Sequence, residues 1–478
     1  MATIRPVSAV ASYAARTWDE AILPALTEYI RIPALSPAFD PDWAAHGRIA
    51  EAVRQFRAWA EARDLPGATV EVVELAGRTP VLLVDVPGTA GQAGPGADTV
   101  LLYGHLDKQP EMTGWREGLG PWTPVLDGER LYGRGGADDG YAMFAALTAI
   151  GAVRSIGGAH ARCVVLVEAS EESGSPDLPA YVEALAGRIG RPSLVVCLDS
   201  GCADYERLWA TTSLRGMAGG VLRVEITREG LHSGSVGGVV PSTFRIARQL
   251  LDRIEDSGTG RVLLEEAHAA IPAERLEQVE ATAAIVGDVS SGLPVVDGAD
   301  VVAGRLPAEV LLDRTWRPAL AVIGADGLPS SQAGGNVLRP MTALSLSLRL
   351  PPAADPERAA AGLAAALTAD PPYGARVSFE AREAAPGWDA PPTAPWLATA
   401  ASEASRAHFG HDAAYMGEGG TIPFMGMLGE RFPEAQFLVV GVLGPGSNAH
   451  GPNEFLHVPM GERLTASVAD VLTAHVAR

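Results

Sequence analysis

The sequence is poor in cysteine, in aromatic residues and in positive charge. Three cysteines occur in 478 residues, Cys163, Cys197 and Cys202, and no two are spaced CxxC. So sparse and odd a set in a long chain argues against a disulfide scaffold or a cysteine zinc site, and it points to a reducing, cytoplasmic location. Cys163 and Cys197 lie in apolar runs, where a thiol packs as a small hydrophobe. Lysine and arginine number 37 against 57 aspartates and glutamates, a formal charge of −20. A field of that sign repels nucleic acid and anionic membrane, so neither is expected as a partner. No run of 18 apolar residues is present, which leaves no expected transmembrane helix. The opening residues, MATIRPVSAVASYAART, hold one short apolar run that includes Ser and Tyr and stops at Arg16. They read as a mature N-terminus rather than a signal peptide. Two catalytic signatures are also missing: HExxH, which argues against a single-zinc helix-borne protease, and GxSxG, which removes the usual serine-hydrolase elbow.

What is present is a globular composition, 47% apolar and 20% charged. The length suits two or three domains. Short Val/Leu runs at Val70–Val73, Val81–Val84, Val100–Tyr103, Cys163–Val167 and Leu194–Leu198 predict strands buried on both faces. Helical patterns over Trp18–Ile30, Ala44–Ala62, Tyr141–Val153 and Leu178–Ala186 accompany them, so the fold class is α/β. Gly88–Gly96 reads as a surface loop. After Tyr205 the runs alternate apolar and polar instead, at Met217–Thr227 and Ala343–Leu350, with helices at Pro241–Ile254 and Pro356–Thr368 and a strand at Ala375–Phe379. This predicts an inserted α+β unit. The stretch 258–335 resists assignment. A helix at Pro395–His408, a buried strand at Gln436–Gly441 and a closing helix at Gly461–Ala477 restore the α/β character.

Acidic residues and histidines recur where these strands end, the edge at which open α/β sheets carry their sites. VLLYGHLDKQP delivers His105 and Asp107. LYGRGGADDG sets Asp138 and Asp139 in a glycine-rich loop, where adjacent carboxylates repel unless a cation compensates. VVLVEASEESGSP ends on Glu171 and Glu172, LVVCLDSG on Asp199, and GPGSNAHGPNE carries His450. Each has a bland reading as a cap, a turn or solvated surface. Five in this order argue for a site.

As a set, GHLD, GRGGADDG, ASEESGS, LDSG and NAHGPNE resemble the motifs of the zinc-dependent metallopeptidases that include carnosine-type dipeptidases, glutamate carboxypeptidase, aminoacylase and succinyl-diaminopimelate desuccinylase. GHLDKQP, GLHSG, GEGGTIPF and AHGPNE are most similar to the dipeptidase branch. The resemblance implies a split α/β catalytic domain, residues 1–206 and 389–478, interrupted by a lid and dimerisation domain over 207–388. It implies two divalent metal ions, zinc first, with manganese or cobalt as substitutes. His105 and Asp199 would hold one, Glu172 and His450 the other, and Asp138 both. Glu171 would be the general base and Asp107 would orient His105. His232, in GLHSG, would come from the partner subunit of a homodimer. Arg349 would meet a substrate carboxylate, with Asn336, Gly419, Gly420 and Thr421 lining the pocket. The family also tends to place a cis peptide after the bridging aspartate, here Asp138–Asp139. Relatives often carry Lys-Gly after the paired aspartates, whereas Gly140 and Tyr141 follow here.

The function implied is hydrolysis of an amide bond in a small carboxylate-bearing substrate, foremost a dipeptide. Deacylation or desuccinylation of an N-acyl amino acid uses the same chemistry, and a non-catalytic metal-binding scaffold is the remaining alternative.

Overall fold

Residues alternate between two faces along a strand, and the central strands bury both. The computed structural model describes residues 8–89, 98–287, 289, 295–301 and 304–478. Residues 1–7 of the N-terminal stretch and 90–96 of the expected Gly88–Gly96 loop lie outside these. In Val81–Val86, Thr99–His105 and Arg162–Glu168, the residues Leu82, Val84, Val100, Leu102, Val165 and Val167 enter one apolar core. Their neighbours Val81, Leu83, Leu101, Tyr103, Val164 and Leu166 enter a second core on the other face. Continuous apolar runs are what such a two-faced strand requires.

The sheet runs Thr69–Val73, Val81–Val86, Arg162–Glu168, Thr99–His105, Pro192–Cys197, Gln436–Val439, Trp209–Leu214 and Trp388–Asp389, with Ala414–Glu418 also on Trp209–Leu214, nine strands in all. The four strands from Arg162–Glu168 to Gln436–Val439 are parallel, and antiparallel pairs close each end. The helix Ala142–Ser155 lies almost wholly buried against one face beside the closing helix Val458–Ala477.

Between Trp209–Leu214 and Trp388–Asp389 the chain builds a separate antiparallel sheet in the order Ala319–Asp326, Met341–Leu350, Gly216–Glu225 and Arg376–Ala385. Helices Thr243–Leu251 and Pro356–Thr368 pack on it through its own apolar core. The α/β class with an inserted α+β unit is thus what the chain folds into.

Local differences from the sequence reading have identifiable causes. The first helix starts at Ala9, not Trp18, and passes through a wide turn at Trp18–Ile22 before Leu23–Ile30. The stretch weighed above as a possible signal segment is therefore helical from Ala9 on, with Val10 and Ala14 buried. The expected helix Ala44–Ala62 is broken at Gly47, whose φ of 69° favours glycine. Leu178–Ala186 divides at Leu185. The unassigned stretch yields helices Ala273–Val286 and Pro307–Thr315 and the edge strand Ala319–Asp326. That strand is exposed over its last six residues, so no apolar–polar alternation marks it. All three cysteines are buried and free.

Trp18, fully buried, donates through Nε1 to Thr465 Oγ1 at 2.9 Å, and a Cβ at Gly461 would come within 2.4 Å of its ring. Gly461→Ala should therefore lower stability by about 1–3 kcal/mol, the scale of core overpacking, read as an earlier midpoint in thermal or urea melts. Burial, aided by the charge of Arg478, lowers the His475 imidazole to about 4. An unfolded histidine takes up its proton near pH 6.5, so the unfolded chain binds the extra proton between these values. The contribution is complete above pH 6.5 and is lost as pH falls towards 4. Wild type should lose more stability than His475→Gln across that window; parallel pH–stability curves for the two would contradict the assignment.

Candidate metal centre

His105 ends the central strand Thr99–His105, and its backbone N–H donates to Asp139 Oδ2 at 3.2 Å. Its Nδ1 lies 3.1 Å from the Asp107 carbonyl oxygen. A carbonyl can only accept, so Nδ1 carries a proton and Nε2 is the nitrogen that faces the carboxylates. The Asp107 carboxylate lies slightly farther from Nδ1, at 3.4 Å. Its two oxygens accept instead from the backbone N–H groups of Glu171 and Glu172, at 3.1 and 3.0 Å. Asp107 thus orients the imidazole mainly through its backbone, while its side chain docks the turn that bears both glutamates.

Around His105 Nε2 stand Asp138 Oδ1 at 3.3 Å, Asp199 Oδ2 at 3.8 Å and Glu171 Oε2 at 4.0 Å. On the far side, His450 Nε2 lies 3.0 Å from Asp138 Oδ2 and 3.3 Å from Glu172 Oε2. The two oxygens of Asp138 therefore face two different histidines. The peptide bond Asp138–Asp139 is cis, as expected. Ligand atoms of His105, Asp138 and Glu172 lie within 4.8 Å of one another, and so do those of His105, Asp139 and Asp199.

The electrostatics call for added positive charge. Burial, then the neighbouring Asp199 charge, pushes the Glu171 carboxyl well above its usual range. Burial and Asp138 raise Glu172 to about 8, and burial raises Asp199 to about 6. Burial opposes the charge of the histidines, yet both imidazoles are driven towards the protonated form, His105 by Asp199 and Asp107 and His450, to about 9, by Asp138. Hydrogen bonds from both histidines hold Asp138 well below the carboxylate range against its burial. Among the described residues no arginine or lysine pairs with these carboxylates. Imidazole and carboxylate donors without thiolate, crowded and short of cationic partners, fit divalent metal ions.

Other predicted residues make hydrogen bonds outside this cluster. Arg349 Nη1 donates to Thr421 Oγ1 at 3.0 Å, and Thr421 donates in turn to the Arg215 carbonyl at 2.6 Å. Arg215 Nε donates to the Gly419 carbonyl at 3.1 Å, and Gly420 follows in the same turn. His232 and Asn336 lie together on the ribbon Leu231–His232/Val337–Leu338, where the Asn336 carbonyl accepts from Ser233 N at 2.8 Å. Both are exposed. His232 Nδ1 accepts from Gly234 N at 3.1 Å, and no bond of its ring reaches the cluster.

Sequence reasoning missed four participants. Asp139 is fully buried, and its Oδ1 has no hydrogen-bond partner. The signal was the paired aspartate itself. Gln109, two residues past Asp107, donates to Glu172 Oε2 at 2.7 Å. Arg134 and Glu454 form a wholly buried ion pair between the GRGG and NAHGPNE loops; both stand inside the motifs singled out.

A family model described as Peptidase family M20/M25/M40 matches residues 101–474. The chain is 28% identical over 384 residues to the cysteinylglycine-S-conjugate dipeptidase of Corynebacterium striatum, covering 77% of this chain and 80% of that protein. It is 27% identical over 273 residues to the Cys-Gly metallodipeptidase of Saccharomyces cerevisiae, 55% of each chain. Solved structures with the same fold include the dipeptidase Dug1p from Saccharomyces cerevisiae, with a TM-score of 0.76 at 22% identity, and human carnosine dipeptidase 1, with 0.75 at 21%; each covers 98% of both chains.

Stripping divalent ions with a chelator should lower the thermal midpoint, and restoring them should reverse the loss. An ion present at 1,000 times its dissociation constant stabilises by about 4 kcal/mol. Identical melts with and without chelator would contradict a metal centre.

Proposed function

The chain belongs to peptidase family M20/M25/M40 and is a metallohydrolase acting on peptide bonds, and on that premise we propose that it is a two-metal dipeptidase. One observation carries the reading: Asp138 presents its two oxygens to His105 and His450, each backed by a further carboxylate. His105 and Asp199 would hold one divalent ion, His450 and Glu172 the other, with Asp138 shared. The donor set favours zinc, with manganese or cobalt able to substitute. When bound, such a pair supplies a water of lowered pKa and polarises the scissile carbonyl.

This chain's residues provide the rest. Glu171 projects beside the cluster from a turn fastened by Asp107, with Oε2 4.0 Å from His105 Nε2, where it would take a proton from water and return it to the leaving amine. Arg349, held by Thr421, offers a guanidinium to the substrate carboxylate, where a two-pronged contact orients as well as binds. Gly419 and Gly420 let the backbone approach the substrate closely, and Asn336 completes the lining.

His232 acts, in this reading, in the partner subunit of a homodimer, stabilising the oxyanion there. Its exposure far from any bond to its own cluster supports this. So does the bare strand Ala319–Asp326 of the same inserted unit, in which Val322 is 49% and Ile323 67% exposed. An apolar edge of this kind calls for cover. The segment 207–388 would then serve as lid and dimerisation domain. Buried free thiols and the net charge of −20 support a cytoplasmic protein with small peptides, not nucleic acid or membrane, as partners. The relatives named for Cys-Gly and β-Ala-His dipeptides support a dipeptide over an N-acyl amino acid.

Zinc-reconstituted protein should release free amino acids from Cys-Gly, β-Ala-His or simple dipeptides. Activity confined to N-acyl amino acids would move the assignment to deacylation. Glu171→Ala should keep its metal and lose about 10²–10⁴-fold in turnover; turnover at the native rate would remove it as the base. Mixing Glu171→Ala with His232→Ala should restore part of the activity after subunit exchange, and a lack of recovery would exclude a shared site.

A further inference from the structure

The two halves of the centre are held by different means. His105 stands at the end of a central strand, with its backbone N–H on Asp139 and its ring on Asp107. His450 stands on a loop, with its side chain 54% exposed and its ring meeting Asp138 and Glu172. That loop places three non-glycine residues in left-handed backbone, Asn448 (φ 55°), His450 (φ 63°) and Asn453 (φ 61°). Such conformations persist where the surroundings enforce them.

Asn448 and Asn453 are tied locally, by Asn448 Nδ2 to the Pro452 carbonyl and by Arg116 N to Asn453 Oδ1, and the loop as a whole is tied to its surroundings by Arg134. Its guanidinium is 1% exposed and reaches three acceptors in two segments. Nη1 donates to the Glu454 carboxylate, Nη2 to the Gly451 carbonyl at 2.9 Å, and Nε to the Pro110 carbonyl at 3.3 Å. Glu454 answers through its other oxygen, which accepts from Gly135 N at 2.8 Å, while its carbonyl accepts from Gly133 N at 3.0 Å. The loop bearing Asp138 and the loop bearing His450 are thereby fastened together by a fully buried pair.

We propose that Arg134 and Glu454 are positioning residues that build the His450 side of the centre, setting the affinity of one metal ion without setting that of the other. The proposal rests on the two-metal reading. A planar fork fits the task because it spends its donors in fixed directions on one carboxylate and two carbonyls, which an ammonium cannot do. Partners one shell removed from a metal typically change its affinity 10–100-fold when lost.

The test is a titration of chelator-stripped protein with Zn²⁺ alone, against a competing chelator, with circular dichroism to follow folding. Wild type should take up two ions. Arg134→Met/Glu454→Met removes both buried charges together, which avoids stranding either one. It should bind one ion with the wild-type constant and the other at least 10-fold more weakly. Arg134→Lys keeps the charge without the fork, should show the same asymmetry to a lesser degree, and carries the test should the double variant not fold. Two ions bound with unchanged constants, or both weakened equally, would overturn the proposal and leave the two-metal reading standing. A wild-type chain that takes up a single ion would end both.

Discussion

Everything in this molecule converges on a concentration of buried negative charge with too little positive charge to answer it. Asp138, Asp139, Glu171, Glu172 and Asp199 crowd about two imidazoles, and among the described residues no guanidinium or ammonium pairs with them. A protein interior does not tolerate bare carboxylates; they must be paired, coordinated or neutralised. Raised carboxyl pKa values beside raised histidine values express one demand, for positive charge, and Asp138 turns one oxygen to His105 and the other to His450.

The fold meets that demand by division of labour. Parallel strands buried on both faces are rigid, and they end at one edge. Two groups, His105 and Asp199, issue from that edge directly. The others arrive on loops, and loops need fastening. Asp107 fastens the glutamate turn through two backbone N–H groups, and the Arg134–Glu454 pair fastens the remaining loops. The inserted sheet lies outside this economy. Arg349 stands on that sheet, which has a separate core, and His232 on the two-stranded ribbon beside it in sequence, Leu231–His232/Val337–Leu338.

The outline of all this was legible in the sequence, because continuous Val/Leu runs and the motifs at their ends are local signals. Thr99–His105, Arg162–Glu168 and Pro192–Cys197 appear close to their expected bounds, and His105, Asp138, Glu172, Asp199 and His450 come together as the motifs implied. What was not legible depends on long-range contact. The pairing of Arg134 with Glu454 joins residues more than three hundred positions apart, and nothing local distinguishes either from a solvated charge. The use of the Asp107 carbonyl by His105 is a backbone matter that residue types do not encode. Ala319–Asp326 escaped because an exposed edge strand has no buried face to impose alternation.

Lys108 has a quieter consequence. It is the one lysine in the sequence, and it is buried, with Nζ donating to the carbonyls of Tyr29 at 2.8 Å and Ile32 at 2.8 Å and lying 3.7 Å from the centre of the Tyr29 ring. Every other basic side chain outside the histidines is arginine. Within these residues the folded surface therefore presents no side-chain amine at all. Acylation, glycation and isopeptide tagging, which all attack a free ε-amine, have no side chain to reach here until the protein opens.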